Sequence, residues 1–352
     1  MKRISRRKFV AGMAGSLGAM VAAPALSQGQ GKVLHVIGYT DIRDVIAKVW
    51  IAPFEKATGA KVQFVPGAGM ELVGKIRAEQ AKPTYSVMLA DDWVVEQAGR
   101  FNLVQPLPKD KMPALADVDP ALQFKDGSGV AILVLLTGLA FNTSIKAPAS
   151  WADLWRPEFK RSILIPPSNF ATHSMLLTMA ASIKSGLPVE KAQYDLTPGF
   201  EYLKELKPNF LTIYSNTNIA LNLLVQGEAK AAAPFYAKNV FRHADAGAKI
   251  NLTVPKEGGF VGLNGAALIR NAPEADLGAE FIDFGLTPEV QRALAEGCIA
   301  GSVNRRVELP ASMADRAPIN QDAIRKLHKL DWGSFNDRRS DLLDRWNREI
   351  AG

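Results

Sequence analysis

The sequence predicts an α/β protein of two lobes, each a central, mostly parallel sheet flanked by helices, with two strands crossing between them. Three observations carry this. Short apolar strands alternate with helical patterns between residues 32 and 100. A second series of the same kind runs from residue 150 to residue 254. Two long apolar runs that contain glycine, residues 130–141 (VAILVLLTGLAF) and 260–270 (FVGLNGAALIR), stand between and after the two series. Strand and helix alternating with short loops is the pattern of a parallel sheet. Two crossings let the chain leave the first sheet, build the second and return.

The N-terminus sets the compartment. Ser5-Arg6-Arg7-Lys8-Phe9-Val10 is a twin-arginine signature. A mildly apolar region with Gly12, Gly15 and Gly18 follows, then Ala23-Pro24-Ala25, an A-x-A cleavage site. The apolar part is too short and glycine-rich for a spanning helix of about 20 residues. Residues 1–25 are therefore expected to be a removable export signal, leaving a soluble periplasmic protein that is exported folded. The whole chain is formally +7. Lys2, Arg3, Arg6, Arg7 and Lys8 supply five positives and the segment has no acids, so the mature net is 7 − 5 = +2. The basic balance is partly a targeting feature and does not point to nucleic acid. The 352 − 25 = 327 residues that remain suit two domains better than one core.

Cys298 is the only cysteine, so no internal disulfide can form, and it reads as a small buried hydrophobe. His35, His173, His243 and His328 show no metal-binding spacing. No cofactor or metal is expected.

Residues 32–38 read as the first strand, ending in the polar turn Gly38-Tyr39-Thr40-Asp41. A helix over residues 42–58 is stopped by Gly59. Residues 61–65 form a second strand, Pro66-Gly67-Ala68-Gly69 a turn, and MELVGKIRAEQ a helix. Residues 85–90 are a third strand, after which Asp91-Asp92-Trp93 opens a helix. In open α/β sheets ligands collect at the carboxyl ends of strands. Tyr39, Thr40, Gly67, Ala68, Gly69, Asp91 and Asp92 all fall there, with helix capping as the alternative role for the two aspartates. Residues 100–130, rich in Pro and Asp, look irregular.

The second series opens with Ser150 and Asp153 at capping-box spacing, a short helix that Pro157 ends. Residues 162–165 read as a buried strand. Pro166-Pro167-Ser168-Asn169 then leads to a helix from Thr172, with Met175, Leu176, Met179, Ala180 and Ile183 on its apolar face and Gly186 closing it. A helix N-terminus fed by a polar loop is a natural anion site. His173, in the first turn, reads as a packed or solvent-facing residue. A helix is expected over 201–208, strands over 211–214, 229–233 and 250–254, and a polar helix start at Ser215-Asn216-Thr217-Asn218. Helices follow over 275–286 and 288–296. Amphipathic C-terminal helices over 321–350 should bury Leu327, Leu330, Leu342, Leu343 and Trp346. The glycines of the two crossings could serve a hinge, or tight packing and bulges.

Three segments then carry a resemblance: residues 54–62 (FEKATGAKV), 150–160 (SWADLWRPEFK) and 255–259 (PKEGG). In this order they make nearly all of the mature chain similar to the solute-binding proteins of bacterial ABC importers, of the spermidine/putrescine-binding type. The resemblance implies a Venus-flytrap fold that closes on one ligand, without chemistry, and hands it to a membrane permease with its cytoplasmic ATPase. On this basis residues 31–137 with 266–303 make lobe 1, residues 138–265 lobe 2, and residues 304–352 pack on the lobes as helices. The protein is expected to be a monomer that meets the twin-arginine translocase during export.

The ligand departs from the pattern. The family places acids in the loop after Ile165, where this chain has Pro166-Pro167-Ser168-Asn169-Phe170-Ala171. It places a Trp and an Asp where Gly262 and Asn264 stand. A buried unpaired ammonium is costly, so these losses argue against a polyamine. Iron-binding relatives use adjacent tyrosines where only Tyr236 stands. The remaining hydroxyls, amides and backbone groups, Tyr39, Thr40, Gly67 to Gly69, Ser168, Asn169, Thr172, Ser215, Asn216, Tyr236 and Asn264, suit a small carboxylate, phosphonate or zwitterion. A polyamine carrier and an exported enzyme are the two competing readings.

Overall fold

The computed structural model describes residues 31–352. The export signal expected over residues 1–25 lies outside the described residues. Strand β1 (Val33–Tyr39) leads to a helix over residues 43–58 with one π turn, Ala47–Ile51, and Gly59 ends it at φ 73°. Strand β2 (Lys61–Gly67) is followed by the helix Met70–Ala78, and β3 (Val87–Asp91) by the helix Asp92–Arg100. The irregular stretch holds short 3-10 turns and β4 (Val104–Gln105). Then comes β5 (Val130–Asn142), buried along its whole length.

The capping box at Ser150 forms as the spacing predicts. Ser150 Oγ accepts from the Ala152 N–H at 3.1 Å, and Asp153 Oδ2 accepts from the Ser150 N–H at 3.0 Å. The element it starts, Trp151–Trp155, is a 3-10 turn, cut short by the proline at 157. Strand β6 (Ile163–Ile165) delivers the polar loop to the helix Ala171–Ser185, which Gly186 closes at φ 73°. The helix Thr197–Leu206 starts earlier than the sequence reading placed it, because Pro198 sits in its first turn, where its missing N–H costs nothing. Strand β7 (Phe210–Ile213), the helix Thr217–Gln226, β8 (Ala231–Tyr236), β9 (Ile250–Thr253) and β10 (Phe260–Ile269) follow. The helix Ala237–Asp245 between β8 and β9 was not anticipated.

The strands form one sheet in the order β2-β1-β3-β10-β5-β8-β6-β7, with β4 beside β10 and β9 beside β5. Parallel pairing is confined to two groups, β2-β1-β3 and β8-β6-β7. The two long strands between them, β5 and β10, pair antiparallel with each other. The predicted crossings therefore lie side by side and join the two lobes. Their glycines serve packing rather than unusual backbone angles. Register shifts fall at Gly138/Ala140 and Asn264/Gly265, so Gly138 and Gly265 belong to bulges.

The C-terminal segment buries Leu330, Trp332, Phe335, Trp346 and Ile350. Leu327, Leu342 and Leu343 are only half-buried, a correction to the predicted apolar face. The segment touches both lobes. Arg100 Nη2 donates to the Gly333 carbonyl at 2.8 Å and Asn336 Nδ2 to the Trp93 carbonyl at 3.3 Å. On the other side, Arg338 Nη2 donates to the Gln193 carbonyl at 2.8 Å, and Lys204 pairs with Glu349 at 2.7 Å. Among the described residues no helix is long and apolar enough to cross a membrane.

Candidate functional site

Between the two parallel groups lies a cleft of about 540 Å³. The ends of β1, β3 and β8 open into it, Asn264 of β10 crosses it, and the loop before the helix Ala171–Ser185 closes one side. Nine of the residues expected from the sequence line it: Tyr39, Thr40, Ala68, Gly69, Asp91, Asn169, Thr172, Tyr236 and Asn264. Five lie outside its lining. Gly67 is buried, and a Cβ there would meet Leu72 at 2.6 Å. Asp92 turns away and accepts from the Trp93 N–H at 2.9 Å. Ser168 sits in the turn behind Asn169, and Ser215 is exposed to solvent. Asn216 caps a helix, its Oδ1 accepting from the Ile219 N–H at 3.1 Å.

At the β3–β10 side, Asp91 and Asn264 are register partners on adjacent strands. Asn264 Nδ2 donates to Asp91 Oδ1 at 2.8 Å. The expected capping role does not hold for Asp91, whose side chain caps no helix N–H. Burial pushes its carboxyl up to about 6, with the Lys238 ammonium pulling the other way. Asp92 behind it is pushed up to about 7, first by burial and then by the Asp91 charge. Tyr39 Oη accepts from the Gly265 N–H at 3.0 Å, tying β1 to β10, and burial raises its pKa well above that of a free phenol. The same cause raises Tyr236.

Tyr236 occupies space that Gly262 leaves open. A Cβ on Gly262 would stand 2.8 Å from the Tyr236 ring. The tyrosine ring from β8 thus sits against the position where the family resemblance placed a tryptophan. Beside Asn264, where the resemblance placed an acid, the register partner on the next strand is Asp91.

The sequence reading missed the charged and aromatic lining. Asp41, Glu71, Lys238 and Arg339 all border the cleft, with Trp93, Phe170, Tyr214 and Phe235. Asp41 and Lys238 form an ion pair at 2.7 Å across it, from the loop after β1 to the helix after β8. Lys238 stands two residues past the end of β8, which runs to Tyr236 rather than to the residue 233 read from the sequence, so the strand-end rule applied to the observed strand reaches it. Arg339 carries no such signal, since it enters from the C-terminal helix Arg339–Trp346 and stacks over the Trp93 ring at 4.8 Å.

Three buried polar atoms of lining residues make no hydrogen bond: Trp93 Nε1, Thr172 Oγ1 and Asn264 Oδ1. The first lies close enough to Asp91, and the second to the Tyr214 hydroxyl, to lower those pKa values slightly, but neither contact closes into a bond. The helix Ala171–Ser185 starts here with no side chain capping its N–H groups. His173 does not line the cleft; it is packed edge-on against Trp346, ring centroids 4.2 Å apart, and burial lowers its pKa to about 3. Among the described residues no group of three or more candidate ligands could hold a metal ion.

A family model described as bacterial extracellular solute-binding protein matches residues 49–320. The chain belongs to this family. It is similar to the spermidine/putrescine-binding periplasmic protein of Salmonella typhimurium, 25% identical over 342 residues, covering 94% of each chain. An ABC transporter substrate-binding protein from Bradyrhizobium japonicum superposes with a TM-score of 0.79 at 18% identity, covering 91% of this chain and 99% of that one. A periplasmic binding protein from Actinobacillus pleuropneumoniae, with fructose-6-phosphate bound, superposes with a TM-score of 0.73 at 21% identity, covering 92% and 99%. The two-lobed fold expected from the sequence is that of these proteins. The chain is thus a bacterial extracellular solute-binding protein, and the Salmonella relative it resembles is named as a periplasmic one.

Proposed function

We propose that the cleft captures a small organic ligand bearing an anionic, hydrogen-bond-accepting group, a carboxylate, phosphonate or zwitterion, and performs no chemistry on it. The observation that carries this is the uncapped helix N-terminus at residues 170–172, beside which Thr172 Oγ1 is buried without a partner. Unpaired N–H groups and the positive helix end favour an anion there, and a buried polar atom without a partner is costly until a ligand supplies one. Lobe 1 is assigned to residues 31–137 with 266–303, lobe 2 to residues 138–265, and residues 304–352 to a brace across both. The protein works as a monomer, exported through the twin-arginine route and docking on its permease when liganded and closed.

A polyamine is the second reading. Asp91 beside Tyr39, Tyr236 and Trp93 favours it, as does the name of the Salmonella relative. Against it, Asp41 and Glu71 are already paired, with Lys238 and Lys75, each at 2.7 Å. A thermal-shift screen over polyamines, amino acids, dicarboxylates and phosphonates decides between them. A ligand at 100 times its dissociation constant adds about 2.7 kcal/mol of stability. Spermidine or putrescine giving the largest shift would reverse the assignment. For export, replacing Arg6 and Arg7 by lysine should retain the precursor in the cytoplasm; unchanged periplasmic yield would remove the twin-arginine route.

A further inference from the structure

Five charged side chains border the cleft: Asp41, Glu71, Asp91, Lys238 and Arg339. Three of them are satisfied by ion pairs. Asp41 and Lys238 pair with each other at 2.7 Å, and Glu71 pairs with Lys75 at 2.7 Å on the rim. One acid and one base are left over. Asp91 has the Asn264 amide as its hydrogen-bond partner and, among the described residues, no ion pair. Arg339 pairs with no carboxylate among the described residues; it rests on the Trp93 ring, and desolvation alone lowers its pKa. A guanidinium partly withdrawn from water and without a counter-charge offers an incoming anion a charge-assisted contact.

The unpartnered atoms divide the same way. An ionised carboxylate only accepts hydrogen bonds, so the bond from Asn264 Nδ2 to Asp91 leaves Asn264 Oδ1 as a free acceptor next to that acid. Asp91 and Asn264 together offer acceptors, the setting for an ammonium group. At the other end, Arg339 and Thr172 both line the cleft. The Thr172 hydroxyl is free, at the uncapped start of the helix Ala171–Ser185. Arg339, Thr172 and the helix end offer donors, the setting for a carboxylate or phosphonate. Trp93 borders both ends, so the two charges of a ligand need be only a few bonds apart.

We propose that the ligand is a short zwitterion, with its ammonium on Asp91 and Asn264 and its anionic group on Arg339 and the helix start at Thr172. Arg339, supplied by the C-terminal helix, is the residue that selects for the anionic end. The assignment rests on the reading of the cleft as the solute site.

The test is isothermal titration of the mature protein with a matched four-carbon series: succinate, 4-aminobutyrate and putrescine. The wild type binds 4-aminobutyrate most tightly. Arg339→Gln weakens 4-aminobutyrate roughly tenfold or more, the value of one charge-assisted contact, and, by removing a like charge from the second ammonium, does not weaken putrescine; Arg339→Lys keeps most of the preference. Asp91→Asn weakens 4-aminobutyrate and putrescine and spares succinate. Unchanged circular dichroism in each variant separates these effects from misfolding. Tighter binding of putrescine or succinate by the wild type, or wild-type affinity in Arg339→Gln, overturns the charge assignment while leaving the cleft a solute site. No heat with all three overturns the short-zwitterion assignment; if the wider thermal-shift screen is also flat, the solute-site reading falls with it.

Discussion

The ion pair between Asp41 and Lys238 makes a specific demand on lobe closure. It joins a loop after β1 to a helix after β8, so separating the lobes breaks it. The Lys238 side chain is 5% exposed and that of Asp41 51%. A hydrogen bond to a charged group is worth about 1.5–3 kcal/mol net, and the half-exposed acid places this one at the lower end. Asp41→Asn should therefore disfavour the closed form by about 1.5 kcal/mol, roughly tenfold in the open–closed ratio. Where the closed form is a minor species without ligand, the apparent Kd rises by the same factor. Lys238→Met should do less harm, because it leaves an exposed carboxylate, whereas Asp41→Asn leaves a buried ammonium with no ion-pair partner and only the more distant Asp91 charge. Small-angle scattering reads closure and calorimetry reads Kd. An unchanged radius of gyration and Kd in Asp41→Asn, or a larger effect from Lys238→Met, would refute the reasoning.

Three further outcomes follow from the geometry. Gly262→Ala drives a methyl to 2.8 Å from the Tyr236 ring, so the ring must move; a stability loss of about 1–3 kcal/mol, the usual range for overpacking, and weaker ligand binding are expected in melting and titration. Asp92 has a folded pKa raised to about 7 from 3.8, so the folded state holds its proton more tightly. Its penalty is absent below pH 3.8, grows as pH rises towards 7 and is complete above it. Asp92→Asn should therefore stabilise the protein at pH 8 by an amount of order a few kcal/mol and leave stability at pH 4 nearly unchanged, as read from denaturant melts. Trp346 is 1% exposed against His173. Trp346→Ala should cost about 3–5 kcal/mol and, by loosening the helix that carries Arg339, weaken ligand binding.

Much of the fold was legible because its signals are local. The strand runs, the capping box at Ser150 and the glycines at 59 and 186 act within a few residues of where they are read. The rule that ligands gather at strand ends brought out Tyr39 and Asp91, and the family resemblance brought out Tyr236. What escaped were features made by long-range pairing. Asp91 looks like a cap in isolation, and only its register partner Asn264, 173 residues away, shows that its carboxylate faces elsewhere. The argument from lost acids left Asp91 and Asp92 as possible cation partners, and only the strand pairing separates them, with Asp91 lining the cleft beside Asn264 and Asp92 outside its lining. Arg339 is one of several arginines on a polar C-terminal helix, and nothing local distinguishes it from Arg338, which binds the Gln193 carbonyl instead.

Asn264 lies at the register shift of β10, on the strand pair that joins the lobes. Its neighbour Gly265 donates to Tyr39, so the same few residues line the cleft and tie β1 to β10. On the reading of the cleft as the solute site, a ligand resting on Asn264 would touch the strand pair that joins the lobes as well as the lobes themselves, and its release would then be coupled to their opening.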